Sequence, residues 1–144
     1  MEHTILSISG KPGLYKLISR GKATLIVERV DETHKRLPVF ATDSVTSLND
    51  IAIYTETEDI PLTTVFANVY NEENGQPASF NYKKCASKEL REYFGKVLPD
   101  FDRERVHDSD IRKLLQWYDT LVKNGITDFE NPVEEAKEED EKKG

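Results

Sequence analysis

Positive charge placed at turns is the pattern in this sequence closest to a chemical function. Lys11, Lys16, Arg20, Lys22, Lys35 and Arg36 fall in or beside short apolar runs of the front half. Gathered on one rim, they would offer ammonium and guanidinium groups to the phosphates of a polyanion. A second group, Phe80-Asn81-Tyr82-Lys83-Lys84, interleaves aromatic rings with cations. Single-stranded nucleic-acid surfaces use that pairing, stacking bases on rings while cations hold phosphates. Lys83 and Lys84 therefore join the candidates for polyanion binding. The same residues have a plainer use, because lysines on strands and turns guard sheet edges and keep a protein dissolved.

Two aromatic residues are candidates for holding a protein partner. Trp117 neighbours the apolar stripe of a helix, beside Tyr118. It either closes a seam between packed elements or, if exposed, anchors a partner. Tyr82 is the second candidate.

Other constellations fail on spacing. Gly10-Lys11-Pro12-Gly13 lacks the Gly-Lys-Ser/Thr ending of a phosphate loop. Pro12 also removes an amide donor, and the next run is a strand rather than a helix. Asp100, Asp102 and Glu104 match the first three ligand positions of a calcium loop. Arg105 then stands where glycine is needed and Ile111 where a bidentate Glu is needed. Cys85 could act as a nucleophile with a histidine base, although nothing near it in sequence supports this. His3, His34 and His107 lack metal-ligand spacing. No catalytic, cofactor or metal site is assigned.

Strand-like runs position the front cations. Residues 4–8, 14–18 and 23–30 are separated by Gly10–Gly13 and by Arg20-Gly21-Lys22. Leu37-Pro38-Val39-Phe40 is a fourth run, and Pro38 places it at an edge or a bulge. Ile51-Ala52-Ile53-Tyr54-Thr55 is a fifth. Five short strands with tight turns predict a small SH3-like barrel.

Helices follow. Leu62, Val65, Phe66, Val69 and Tyr70 recur at helical spacing behind Pro61. Glu73 to Ser79, with Gly75 and Pro77, reads as a linker. Ser87 is a candidate cap for a helix carrying Leu90, Phe94, Val97 and Leu98. Asp108 or Ser109 is a candidate cap for another, carrying Ile111, Leu114, Leu115, Tyr118, Leu121 and Val122, with Gly125 as its left-handed stop. The expected organisation is α+β: a small β-barrel over residues 1–57, then a helix and linker over 58–76. A helical segment over 77–128 and a disordered acidic tail over 129–144 complete it.

Composition narrows the class. The net charge of −7 is unevenly spread. Residues 1–48 carry +2, residues 49–77 carry −6, residues 78–128 carry +1 and residues 129–144 carry −4. A locally basic surface is thus compatible with an acidic chain. Cys85 is the single cysteine, which excludes an internal disulfide framework and fits a reducing compartment. No run has the length of a signal peptide core or a membrane span, so the expected location is cytoplasmic, without membrane contact.

The stretch Ile5 to Ser19, the run Ile51 to Thr55, Leu98 to Val106, Asp110-Ile111 and Trp117-Tyr118 together resemble a domain-of-unknown-function family of Bacteroidetes-type bacteria. The resemblance spans roughly residues 3–128. It implies a bacterial, cytoplasmic protein with a β front and a helical back, and it carries no catalytic residue. The leading expectation is a non-catalytic interaction module that binds a protein partner through the barrel or a helical face. RNA or DNA binding through the basic rim is the alternative, and an enzyme using Cys85 is a third.

Overall fold

The computed structural model describes residues 4–11, 13–40 and 43–129. A five-stranded antiparallel sheet comes first, with β1 (Ile5–Ile8), β2 (Tyr15–Arg20), β3 (Thr24–Arg29), β4 (Arg36–Phe40) and β5 (Val45–Ser47). Its spatial order is β4-β3-β2-β1-β5, so β1 pairs with both β2 and β5. Gly10 and Gly13 both take positive φ in the β1–β2 turn, where a side chain would be strained. Pro38 stands on β4, an edge strand, as its missing N–H demands.

Alternation sorts the strands into two faces. Leu6, Ile8, Tyr15, Val27 and Val39 form a concave core, flanked by half-covered Leu17, Leu25, Leu37 and Val45. The opposite face carries Ile5, Leu14, Val30 and Leu48, which join the core of the helices. A bulge between Leu17 and Ser19 sharpens the bend of β2.

Chain reach forces this sheet to curl. Register places Phe40 and Val45 at opposite ends of opposite edge strands. In a flat sheet they would be about 30 Å apart, from about 4.8 Å per strand step and 3.3 Å per residue. The chain between them can span at most about 18 Å. Rolling the sheet brings the edges together. Even so, no pairing joins β4 to β5 among the described residues, so the sheet is curled and open rather than a closed barrel.

The expected fifth strand proves to belong elsewhere. Val45–Ser47 completes the sheet, whereas β6 (Ala52–Tyr54) pairs with β7 (Asp59–Pro61) in a separate hairpin. That hairpin packs with the helices, so the sheet ends at Ser47 and residue 57 falls inside the hairpin loop. A 3-10 turn at Leu48–Asp50 makes the joint, capped by the Ser47 hydroxyl accepting from the Asn49 N–H.

Three helices follow: α1 (Leu62–Glu72), α2 (Ser87–Val97) and α3 (Asp108–Lys123). Their buried stripes converge on one core that includes Phe66, Phe94, Phe101 and Tyr118. Two caps differ from expectation. Ala86 precedes α2, and its N–H donates to the Glu89 carboxylate. His107 precedes α3, and its N–H donates to Asp110. Ser87 and Asp108 are instead the first helical residues. Gly125 ends α3 at φ 81° as expected, with the Ile126 N–H closing back onto the Leu121 carbonyl. Phe129 is buried against Phe66, Tyr70 and Tyr118, so the chain stays in the core to that point. The rest of the expected acidic tail, residues 130–144, lies outside the described residues.

Candidate functional site

A groove forms where β6 meets the start of α3. Its volume is about 270 Å³, and Ile53, Leu62, Val106 and Leu114 give it an apolar floor. Trp117 lines one side, half-buried, and Tyr54 the other, 42% exposed. Arg105 lays its guanidinium over the Tyr54 ring at 4.2 Å while pairing with Asp102 at 2.9 Å. Lys113 sits 5.7 Å from the centre of the Trp117 ring. Both cations thus hold aromatic faces at the rim.

Backbone polarity adds a second property. Ile51 accepts from the Leu62 N–H and the Thr55 N–H donates to Glu58, so odd-numbered residues of this strand face β7. Even-numbered residues face the other edge. There the Tyr54 carbonyl accepts from the Asp102 N–H, while Ala52, further along, turns its N–H and carbonyl toward the groove. The α2–α3 loop covers only one end of this edge.

That loop is pinned by Arg91 of α2 and by its own Arg103 and Arg105. Arg91 donates to the Asp108 carboxylate at 2.7 Å and to the carbonyls of Arg103 and Val106. Arg103 donates to the carbonyls of Pro99 and Phe101 and stacks on the Phe101 ring at 4.2 Å. The Asp102 carboxylate accepts from the Arg105 side chain and from the N–H groups of Glu104 and Arg105. These bonds hold its pKa below the usual carboxylate range, the Arg105 side chain foremost. The Asp102 carboxylate, one of the three that matched calcium-ligand positions in sequence, is therefore spent on the turn itself. Among the described residues, no group of His, Cys, Asp and Glu is placed to hold a metal ion.

The front cations do not converge. Successive hairpins turn at opposite ends of a meander, so Lys11 and Lys35 lie at one end and Arg20 and Lys22 at the other. Lys16 and Arg36 sit between, in one cross-strand row with Glu28. Glu28 accepts from Arg36 and contacts His34, which keeps its pKa low. The β face is thus a row of alternating charge rather than a basic rim.

The Phe80–Lys84 pattern also resolves differently. Phe80 packs at 4.4 Å on the ring of Tyr93 and edge-on against Tyr82. Tyr82 is only 6% exposed, and its hydroxyl donates to Asp119 at 2.8 Å. Burial, then Asp119, pushes its pKa well up. Tyr82 is consequently a strut inside the protein, with no ring face open to a partner. Arg112 pins the same loop through the carbonyls of Tyr82 and Cys85, leaving Lys83 and Lys84 outside. Cys85 packs against the main core, with its thiol toward the Tyr82 carbonyl at 3.8 Å.

Tyr54 and the Ala52 edge are the site residues that sequence reasoning missed. Their signal was present in the alternation of Ile51 and Ile53 with Ala52 and Tyr54, which marks one strand face as outward.

The molecule is thus an α+β protein, with a curled sheet in front and three helices behind among the described residues. Its two parts match two family models, each described as a domain of unknown function, over residues 3–48 (DUF5606) and 51–121 (DUF6852). The models meet at the 3-10 joint. A protein from Bacteroides vulgatus with a structural-genomics solution NMR structure is 59% identical, with a TM-score of 0.73. That similarity covers 90% of this chain and 91% of that one. The chain belongs to this family of bacterial proteins of unknown function. No curated protein matches it.

Proposed function

We propose that the protein is a non-catalytic interaction module that captures an extended segment of a protein partner in the groove between β6 and α3. The observation that carries this reading is Trp117 and Tyr54 flanking an apolar floor beside the Ala52 edge. An incoming strand would pair with Ala52 and seat one apolar side chain against Trp117. Aromatic anchors in such pockets commonly supply most of the binding energy. In this reading the curled sheet is an SH3-like barrel with an open seam, supported by its strand order, and it serves as a platform. Cytoplasmic residence belongs to the same proposal and rests on the single cysteine.

Capture from a bacterial lysate, with and without nuclease, tests it. Trp117→Ala and Ala52→Pro each should abolish nuclease-resistant capture. Ala52→Pro leaves the β7 pairing untouched, so its melting midpoint should match the parent's. Capture that survives both substitutions overturns the groove. Capture that disappears with nuclease and with rising salt transfers the function to the scattered cations instead.

A further inference from the structure

We propose that the mouth of the curled sheet is a binding site for a small amphipathic molecule, an alkyl chain with a single oxygen-bearing head group. A cavity of about 540 Å³ opens there, between β1, β2, β3 and β5. Leu6, Leu17, Leu25 and Val45 wall it with apolar surface. They belong to the concave core, yet Leu17, Leu25 and Val45 stay only half covered. The volume falls within the range of about 300–1,000 Å³ usual for small-molecule pockets.

Polar groups collect on one side of it. Thr4 lies on the same strand face as Leu6 and lines the cavity. It is 5% exposed, and its hydroxyl is buried without a hydrogen-bond partner among the described residues. A buried hydroxyl in that state costs roughly 1–3 kcal/mol, so native proteins rarely keep one without a use. Its neighbours do not satisfy it: the Ser47 hydroxyl donates to the Asn49 side chain and accepts from the Asn49 N–H. Arg20 and Asp50 complete the rim. The chemistry that fits is a tail on the leucines and an oxygen able to bond to Thr4. An alcohol and a carboxylic acid share that chemistry.

The test titrates octanoate and octanol separately into the full chain and follows backbone amide resonances. Expected are saturable shifts at Leu6, Leu17, Leu25 and Val45 with dissociation constants below about 1 mM for at least one probe. Val45→Trp, which fills the mouth, should remove the shifts while preserving the remaining amide spectrum. Thr4→Val keeps the shape and deletes the hydroxyl. It should weaken the probe about tenfold and raise the melting midpoint of the empty protein by roughly 2–4 °C. Neither probe shifting these residues overturns the site. Undiminished binding by Val45→Trp overturns it too. A melting midpoint that falls in Thr4→Val would show that the hydroxyl already has a partner, and would overturn the role of the head group.

Discussion

The curled sheet and the helical half reach stability by different routes. The sheet keeps a small concave core of Leu6, Ile8, Tyr15, Val27 and Val39, partly open at its mouth. Its charges pair on the surface, Glu28 with Arg36 and Arg29 with Asp31. The helical half buries Tyr82 and Tyr118, half-buries Tyr93, and fixes their hydroxyls on chosen acceptors: Tyr93 on Glu73, Tyr82 on Asp119, Tyr118 on the Gln76 carbonyl. Surface pairs contribute little, while buried polar contacts penalise the loss of either partner. The contrast teaches that the helical half tolerates change least.

Core truncation is the strongest way to break this comparison. Phe94→Ala should cost about 3–5 kcal/mol, while Leu6→Ala, which borders the cavity, should stay near the lower bound of about 2 kcal/mol for such changes. Urea unfolding measures both, and a larger loss for Leu6→Ala would reverse the argument. Tyr93→Phe comes next. Glu73, 8% exposed, would lose the hydroxyl that reaches it at 2.6 Å, at a cost of about 1–3 kcal/mol.

Alkaline pH should then separate the halves. Burial first, then neighbouring carboxylates, raises the pKa of Tyr82, Tyr93 and Tyr118 above the ordinary 10. Their unfolded forms titrate near that value. The stability they confer is intact below pH 10 and drains as pH climbs beyond it. Tyrosinate absorbance from these rings should appear together with loss of helical circular dichroism. Tyrosinate formation at full helicity would contradict it.

The smallest effect is expected at acid pH. Asp31 is held at about 2, below the ordinary 3.8, chiefly by the Thr33 hydroxyl, with the Thr33 N–H and Arg29 adding to it. Its contribution is present above pH 3.8 and disappears as pH falls toward 2. Because the group is exposed, Asp31→Asn should flatten the acid limb of the stability curve only slightly, and less in high salt.

Much of this architecture is written locally. The apolar stripes of the three helices, the stop at Gly125 and the edge role of Pro38 all follow from spacing and backbone chemistry. Val45-Thr46-Ser47 escaped because a strand with one inward apolar residue leaves no alternation to read. Ile51–Thr55 has good alternation, but alternation does not name the partner strand, and β7 was hidden behind the acidic run before Pro61. The groove escaped for a similar reason. Tyr54, Arg105 and Trp117 belong to three elements, and only the packing of hairpin on helix makes them neighbours. The aromatic and basic interleaving at Phe80–Lys84 misled because burial sends the rings inward and the lysines outward, which one dimension does not record.

The joint at Leu48–Asp50 bears on inheritance. Ile5, Leu14, Val30 and Leu48 are covered by the helical core rather than by their own sheet. A gene encoding the front unit alone would yield a product with an uncovered apolar back. The two units are therefore expected to travel as a tandem, and a front unit found apart from its helices would have to recruit another protein as its cover.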